Sequence, residues 1–186
     1  MIFLDESGDD GMSSVSSQKF FVVSLIFTDS NKAKIEYFKL SKIFKSNSFK
    51  WNSLRKASKV KFKNYAKDID YKVICEFITK NKFTNLEGTY LDLCKDIFGN
   101  LNIENKKEKV AYTGDHLGKM FAKLKKHLKN KNKKLTFSQA IGDELYGVTM
   151  ADLWAGYINY SLKNKENLQQ SKYILVKEYG NNQDEQ

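Results

Sequence analysis

The apolar pattern of this chain switches repeatedly between the period of a strand and that of a helix. A short strand is predicted at Met1–Asp5. A strong one is predicted at Lys19–Phe27, where the sequence KFFVVSLIF is apolar, β-branched and aromatic. Two helices are predicted next. The first runs from Asp29 or Ser30 to about Ser46, with Ile35, Phe38 and Ile43 facing inward, and the second from Asn52 or Ser53 to about Asp68. A third strand, Asp70–Ile78, follows them.

Strand and helix patterns then alternate through the rest of the chain. The predicted order is a helix over 86–101, a strand over 109–115, a helix over 117–128, a strand over 134–140 and a helix over 148–162. Lys172–Tyr179 is predicted to be either a helix or an added edge strand. This order, βββαβαβα, predicts an α/β fold with helices on both faces of a mixed sheet. The sheet is antiparallel at the start and parallel in the later βαβ units.

The chain has no proline, no long glycine- or serine-rich linker and no internal repeat. We therefore expect one domain over 1–186, with a basic helical insertion over 31–68 and a C-terminal extension over 163–186. No apolar run approaches the ~18 residues of a membrane span, and no basic region precedes the first apolar stretch. A cytoplasmic protein without a membrane segment is expected. Cys75 and Cys94 lack metal-ligand spacing and are expected to be buried free thiols.

The net charge of +10 is concentrated in two blocks. Residues 31–67 contain twelve Lys or Arg and one acid, and residues 119–134 contain eight lysines and no acid. Such blocks are typical of a surface that binds a polyanion, or of a lysine-rich solvated face. The candidate contacts to RNA or DNA are Lys50, Arg55, Lys56, Lys59, Lys119, Lys123 and Lys126. Phe49 and Trp51 are expected either in the core or in contact with a protein or a nucleobase.

Carboxylates occur where strands end and inside an apolar helix. Asp5 ends the first predicted strand, and Asp115 ends the fourth. Asp152 is the only charged residue between Val148 and Leu162, and an ionised carboxylate is costly to bury without a partner or a metal. Side chains alternate along a strand, so Glu6 is expected to point away from Asp5.

Converging carboxylates of this kind favour a site for Mg²⁺ or Mn²⁺, formed by Asp5, Asp115 and Asp152, with Glu6 as a further catalytic candidate. Each residue also has a structural interpretation. The acidic stretch after Asp5 is compatible with a solvated turn, Asp115 with a helix N-cap, and Asp152 with a purely structural role.

Two short motifs connect these residues to a known family. The sequence FLDESGDDG at the N-terminus and TMADLWAGYI near the C-terminus resemble the family called domain of unknown function 3800, a branch of the RNase H-like superfamily. The family signature is a first strand ending in Asp-Glu-Ser-Gly and a last helix carrying Ala-Asp-x-x-Ala-Gly, and the resemblance covers about residues 1–162. Thr149 stands where family members often have Gln.

The resemblance implies an RNase H-like fold and a role for each carboxylate. Asp5 is implied as the central metal ligand, with Asp115 and Asp152 on either side and Glu6 as a ligand or as a residue that orients one. His116 lies beside this site in sequence and is a candidate for proton transfer. Glu87 and Asp92 are the candidates for a fourth carboxylate, on the first core helix.

Three functions follow as hypotheses. The leading one is a metal-dependent nuclease acting on RNA or DNA. The second is a non-catalytic nucleic-acid-binding module that retains the fold. The third is a defence or toxin-like interaction protein whose activity needs a protein partner.

Overall fold

The computed structural model of the chain describes residues 1–7, 20–79, 85–101, 107–113, 118–129, 134–168 and 171–180. In chain order its elements are β1 (Ile2–Ser7), β2 (Phe20–Phe27), α1 (Ser30–Phe44), a short 3₁₀ helix (Trp51–Ser53), α2 (Lys56–Tyr65), β3 (Lys72–Thr79), α3 (Leu86–Asn100), β4 (Glu108–Tyr112), α4 (Gly118–Lys129), β5 (Leu135–Gln139), α5 (Glu144–Lys163) and β6 (Ile174–Glu178).

The strands form one mixed sheet in the order β5-β4-β1-β2-β3-β6. β2 is antiparallel to both of its neighbours, whereas β1, β4 and β5 are parallel to one another and β3 is parallel to β6. The predicted α/β class and mixed sheet are confirmed. Every strand except β2 runs in one direction, so their carboxyl ends lie at the same edge of the sheet.

Each face of the sheet is covered by helices. Side chains alternate along β1, so Phe3 belongs to the core shared with α1, α2 and α5, while Ile2 and Leu4 belong to the core shared with α3 and α4. In the described ranges, no helix is both long and apolar enough to cross a membrane.

The inward face of α1 differs from the prediction. Ile35 and Phe38 are 54% and 43% exposed, and Tyr37 and Leu40 are buried in their place. Glu36 is buried beside them. Its carboxylate accepts hydrogen bonds from Lys39 Nζ at 2.6 Å and Tyr65 Oη at 2.8 Å. Paired in this way, a carboxylate can be buried at little cost, so the helix turns this mixed face inward.

Several local predictions have a definite outcome. Lys172–Tyr179 contains the edge strand β6, so the helix alternative is wrong. Phe49 and Trp51 are buried, as the core interpretation predicts, and both cysteines are buried free thiols. β4 ends at Tyr112, sooner than the predicted strand end at 115.

Candidate metal centre

Asp5 lies near the carboxyl end of β1, at the centre of the sheet, and shares a face of the strand with Phe3. This is the face that α5 covers. The half-buried Asp5 carboxylate accepts a hydrogen bond from the Glu6 backbone N–H at 2.8 Å. Burial, reinforced by the negative charges of Glu6 and Asp152, raises the pKa of Asp5 to about 8, although the bond from the Glu6 N–H opposes the shift.

Asp152 is brought to the same region by α5. The helix is buried almost all round, and Ala151, Leu153 and Ala155 beside Asp152 are inaccessible to solvent. The Asp152 side chain remains half-buried. Burial raises its pKa, and the positive charge of Lys50 lowers it in part. Asp152 lies on α5 between Gly147, which contacts Phe3, and Asn159, which bonds to Ser7, so the helix carries it along the face of β1 that holds Asp5. The negative charge of Asp152 is one of the causes that raise the pKa of Asp5.

This pair of acids suits a hard cation. Within the part of the chain that the structure describes, neither Asp5 nor Asp152 forms an ion pair with a basic side chain. Among the described residues, Lys50 is the basic side chain whose charge acts on this pair, and a divalent ion with oxygen ligands would supply a positive charge to both carboxyl groups. Among the described residues, however, no three His, Cys, Asp or Glu side chains converge as a ligand set.

Asp115 and His116 lie outside the described residues. β4, the strand that leads toward them, is parallel to β1, and Tyr112 at its end pairs with Leu4. The last described residue before them is Thr113, which is exposed.

Glu6 lies on the opposite face of β1, as strand alternation predicts. Tyr90 of α3 donates a hydrogen bond from its hydroxyl to Glu6 Oε2 at 3.1 Å. Burial raises the pKa of Tyr90, and the Glu6 charge raises it further. Glu6 therefore affects the charge at Asp5 but does not face α5.

Neither candidate for the fourth carboxylate joins the Asp5–Asp152 pair. Glu87 pairs with Lys123 of α4 at 2.8 Å, and Asp92 pairs with Lys95 at 2.8 Å. Glu87 is exposed and Asp92 is half-buried on α3, which packs on the other face of the sheet. Among the described residues, the fourth carboxylate therefore stays unassigned.

The two basic blocks lie on opposite faces of the sheet. Lys50, Arg55 and Lys56 are exposed next to the 3₁₀ helix and α2, on the face of α5. Lys59 lies over the rings of Trp51 and Tyr160, at 5.3 and 5.0 Å from their centroids. On α4, Lys119 and Lys126 are exposed, and Lys123 forms an ion pair with Glu87. Lys50 is the candidate whose charge acts on Asp152.

Two features of the site were missed from the sequence. Asn159 of α5 is buried, and its side-chain amide donates to the backbone carbonyl oxygens of Ser7 and Phe20, at 3.1 and 3.2 Å. Gly147, also on α5, lies directly against the ring of Phe3. The role of Asn159 could have been suspected from the sequence, because a polar Asn within an apolar helix usually has a hydrogen-bond partner.

No family model and no curated protein matches this chain.

Proposed function

We propose that this protein is a divalent-metal-dependent nuclease of RNase H-like fold, related to the family called domain of unknown function 3800. The observation that carries the proposal is the pairing of Asp5 and Asp152. These two residues come from the two motifs, at opposite ends of the chain. α5 carries the half-buried Asp152 along the face of β1 that holds the half-buried Asp5, and the Asp152 charge helps to raise the pKa of Asp5.

The topology supports this proposal. When the basic insertion and β6 are set aside, the elements follow one another as βββαβαβα, the order that the resemblance implies. The central strand β1 carries Asp5 between the antiparallel β2 and the parallel β4. The glycine of the second motif, Gly156, has a packing role against the insertion.

Asp5 and Asp152 would hold Mg²⁺ or Mn²⁺, with Asp115 as the proposed third ligand. A bound divalent ion at such a site lowers the pKa of a water and offsets charge on a phosphodiester oxygen. The role of the chain itself is to hold the carboxylates together and to keep apolar side chains of α5 around them. Glu6 and Tyr90 would tune the charge at Asp5 from the other face of the sheet.

Nucleic acid is the proposed substrate because basic side chains border the acidic pair. Lys50 is exposed and close enough for its charge to act on Asp152, and Arg55 and Lys56 continue the basic surface. Phosphate groups bound there would lie next to the metal ligands. We propose that this face, rather than the α4 block, leads the substrate to the site.

The test is a cleavage assay with labelled single-stranded RNA, duplex DNA and RNA–DNA hybrid, in Mg²⁺ or Mn²⁺. We expect metal-dependent cleavage of at least one substrate and its loss in Asp5→Ala and Asp152→Ala. Asp143→Asn is the matched control, because Asp143 directly precedes α5 and pairs with Lys34 at 2.9 Å. Cleavage that survives both alanine variants would contradict the assignment.

One observation favours the binding-module alternative, namely that no three ligating side chains converge among the residues that the structure describes. A module of that kind binds nucleic acid with a strong salt dependence but does not cleave it. Asp5→Asn would then leave the affinity unchanged, and the metal would be unnecessary.

A further inference from the structure

α5 lies along β1 and makes a specific contact with it on either side of the Asp5–Asp152 pair. Phe3, Asp5 and Ser7 share one face of β1, since side chains on a strand point alternately to its two sides. Their counterparts on α5 follow in the same order: Gly147 lies at Phe3, Asp152 near Asp5, and Asn159 at Ser7.

The first of these contacts is the close packing of the Phe3 ring against Gly147. A Cβ atom at Gly147 would lie 2.4 Å from the ring of Phe3, closer than real Cβ contacts come. Both residues are buried. Glycine inside a helix is less favourable than alanine, so its presence at 147 fits the close approach of the Phe3 ring. The Phe3 ring occupies the space that a side chain would take.

The second contact is a pair of hydrogen bonds from Asn159. Asn159 is 6% exposed, and its Nδ2 group donates to the carbonyl oxygens of Ser7 and Phe20. These carbonyls belong to the last residue of β1 and the first residue of β2. A buried side-chain amide destabilises the fold unless its polar atoms form hydrogen bonds. Hydrogen bonds, unlike apolar contacts, require donor and acceptor to lie in a particular relative position.

These two contacts matter because α5 otherwise packs against Phe3 and its neighbours through buried apolar side chains. Apolar contact between a helix and a sheet is not directional, so by itself it tolerates a small sliding of α5 along β1. Sliding of this kind would change the distance between Asp5 and Asp152. The close contact at Gly147 and the hydrogen bonds of Asn159 restrict this sliding on both sides of Asp152.

We propose that Asn159 and Gly147 are positioning residues that set the separation of the Asp5 and Asp152 carboxylates, and with it the affinity of the pair for a divalent cation. The effect on affinity rests on the proposed metal site. The effect on the separation does not.

The experiment compares Asn159→Leu and Gly147→Ala with the wild type. Leucine has the same number of side-chain heavy atoms as asparagine, also branched at Cγ, but it removes both hydrogen bonds without adding charge. Ser161→Ala is the matched control, because Ser161 is also buried on α5 and its hydroxyl donates to Glu166, which lies outside β1, at 3.2 Å. Mn²⁺ affinity is measured by titration calorimetry, thermal stability by circular dichroism, and the carboxylate separation in metal-free crystals.

Substitutions of residues that orient metal ligands weaken metal binding by roughly 10- to 100-fold, and we expect a loss in that range for both variants. The Asp5–Asp152 separation changes in their crystals. Ser161→Ala lowers the melting temperature and leaves the Mn²⁺ affinity unchanged. Adding Phe3→Leu to Gly147→Ala makes room for the new methyl group and restores part of the affinity.

Wild-type affinity and an unchanged carboxylate separation in Asn159→Leu would overturn the proposal. Should Asn159→Leu fail to fold, Gly147→Ala and its Phe3→Leu rescue decide the same question. A wild-type protein that binds no Mn²⁺ would contradict the proposed function, and the separation measured in metal-free crystals would still decide whether these residues position the pair.

Discussion

Trp51 lies directly on Gly156, where a Cβ atom at position 156 would come 2.4 Å from the Cβ of Trp51. Trp51 is 2% exposed and belongs to the 3₁₀ helix of the basic insertion, and Gly156 lies one turn after Asp152 on α5. This contact holds the insertion against the helix that carries Asp152. Lys50, the residue before Trp51, is thereby held where its charge acts on Asp152.

Gly156→Ala is expected to destabilise the protein, although alanine favours helix more than glycine does. The added methyl group has no room, and overpacking of a core typically costs about 1–3 kcal/mol. Thermal unfolding followed by circular dichroism should show a melting temperature several degrees lower. Thr149→Ala, on a less buried turn of the same helix, should leave it nearly unchanged. A Gly156→Ala variant as stable as wild type would show that Trp51 does not rest on the helix.

A buried chain of hydrogen bonds connects α5 to α1. Trp154 Nε1 donates to Tyr71 Oη at 2.9 Å, the hydroxyls of Tyr71 and Tyr65 lie 3.0 Å apart, and Tyr65 donates to Glu36. Tyr71→Phe removes the central hydroxyl and leaves buried polar groups unpaired, at an expected cost of about 1–3 kcal/mol. Urea unfolding measures this cost. Tyr173→Phe, at a less buried tyrosine, is the control, and equal stability of the two variants would argue against the chain.

The elements of this fold could be predicted because their periods are local properties of the sequence. The orientation of α1 could not, since apolar residues occupy both of its faces and the choice depends on the pairing of Glu36 with Tyr65, from α2. The Trp51–Gly156 contact likewise joins residues far apart in the chain. Of the candidate site, Asp5 and Asp152 could be predicted from a strand end and from a lone charge in an apolar helix. The outward position of Glu87 could not, because it depends on Lys123.

Glu76 is a buried acid that the proposed site does not use. It is 1% exposed on β3, neither carboxyl oxygen meets a hydrogen-bond donor within the described residues, and it faces Asp96 of α3, which pairs with Lys177 of β6 at 3.1 Å. Burial and Asp96 raise the pKa of Glu76 to about 9, with Lys177 opposing the shift. The nearby Cys94 thiol is also buried, and its pKa is raised.

The folded protein therefore holds a proton on Glu76 that the unfolded chain releases above its ordinary pKa of 4.5. Stability from this group is fully present below that value and is lost as the pH rises toward about 9. Glu76→Gln should remove this loss, which amounts to at most about 3 kcal/mol at pH 7. Urea unfolding at pH 5, 7 and 9 tests it, with the exposed Glu87→Gln as control. Lower stability of Glu76→Gln than of wild type at pH 8 would contradict the interpretation.

Asp5→Asn is expected to raise the melting temperature of the metal-free protein. The substitution removes a half-buried carboxyl group whose pKa is raised to about 8, chiefly by burial, so the folded apo state gains stability relative to the unfolded chain. Adding Mn²⁺ should stabilise the wild type by mass action and leave Asp5→Asn unchanged. Asp70→Asn, at an exposed acid paired with Lys32, should keep the response to Mn²⁺. An equal Mn²⁺ response in Asp5→Asn would place the ion elsewhere.

The most direct test of the metal site is an anomalous-diffraction experiment on crystals grown with Mn²⁺. We predict a manganese peak between the carboxylates of Asp5 and Asp152, with oxygens of both at about 2.0–2.3 Å and Asp115 as a further ligand. Crystals of Asp152→Asn grown in the same way should show the peak weakened or lost. A wild-type map with no peak there, or with the two carboxylates more than about 8 Å apart, would contradict the account, because one metal cluster could not then use both residues.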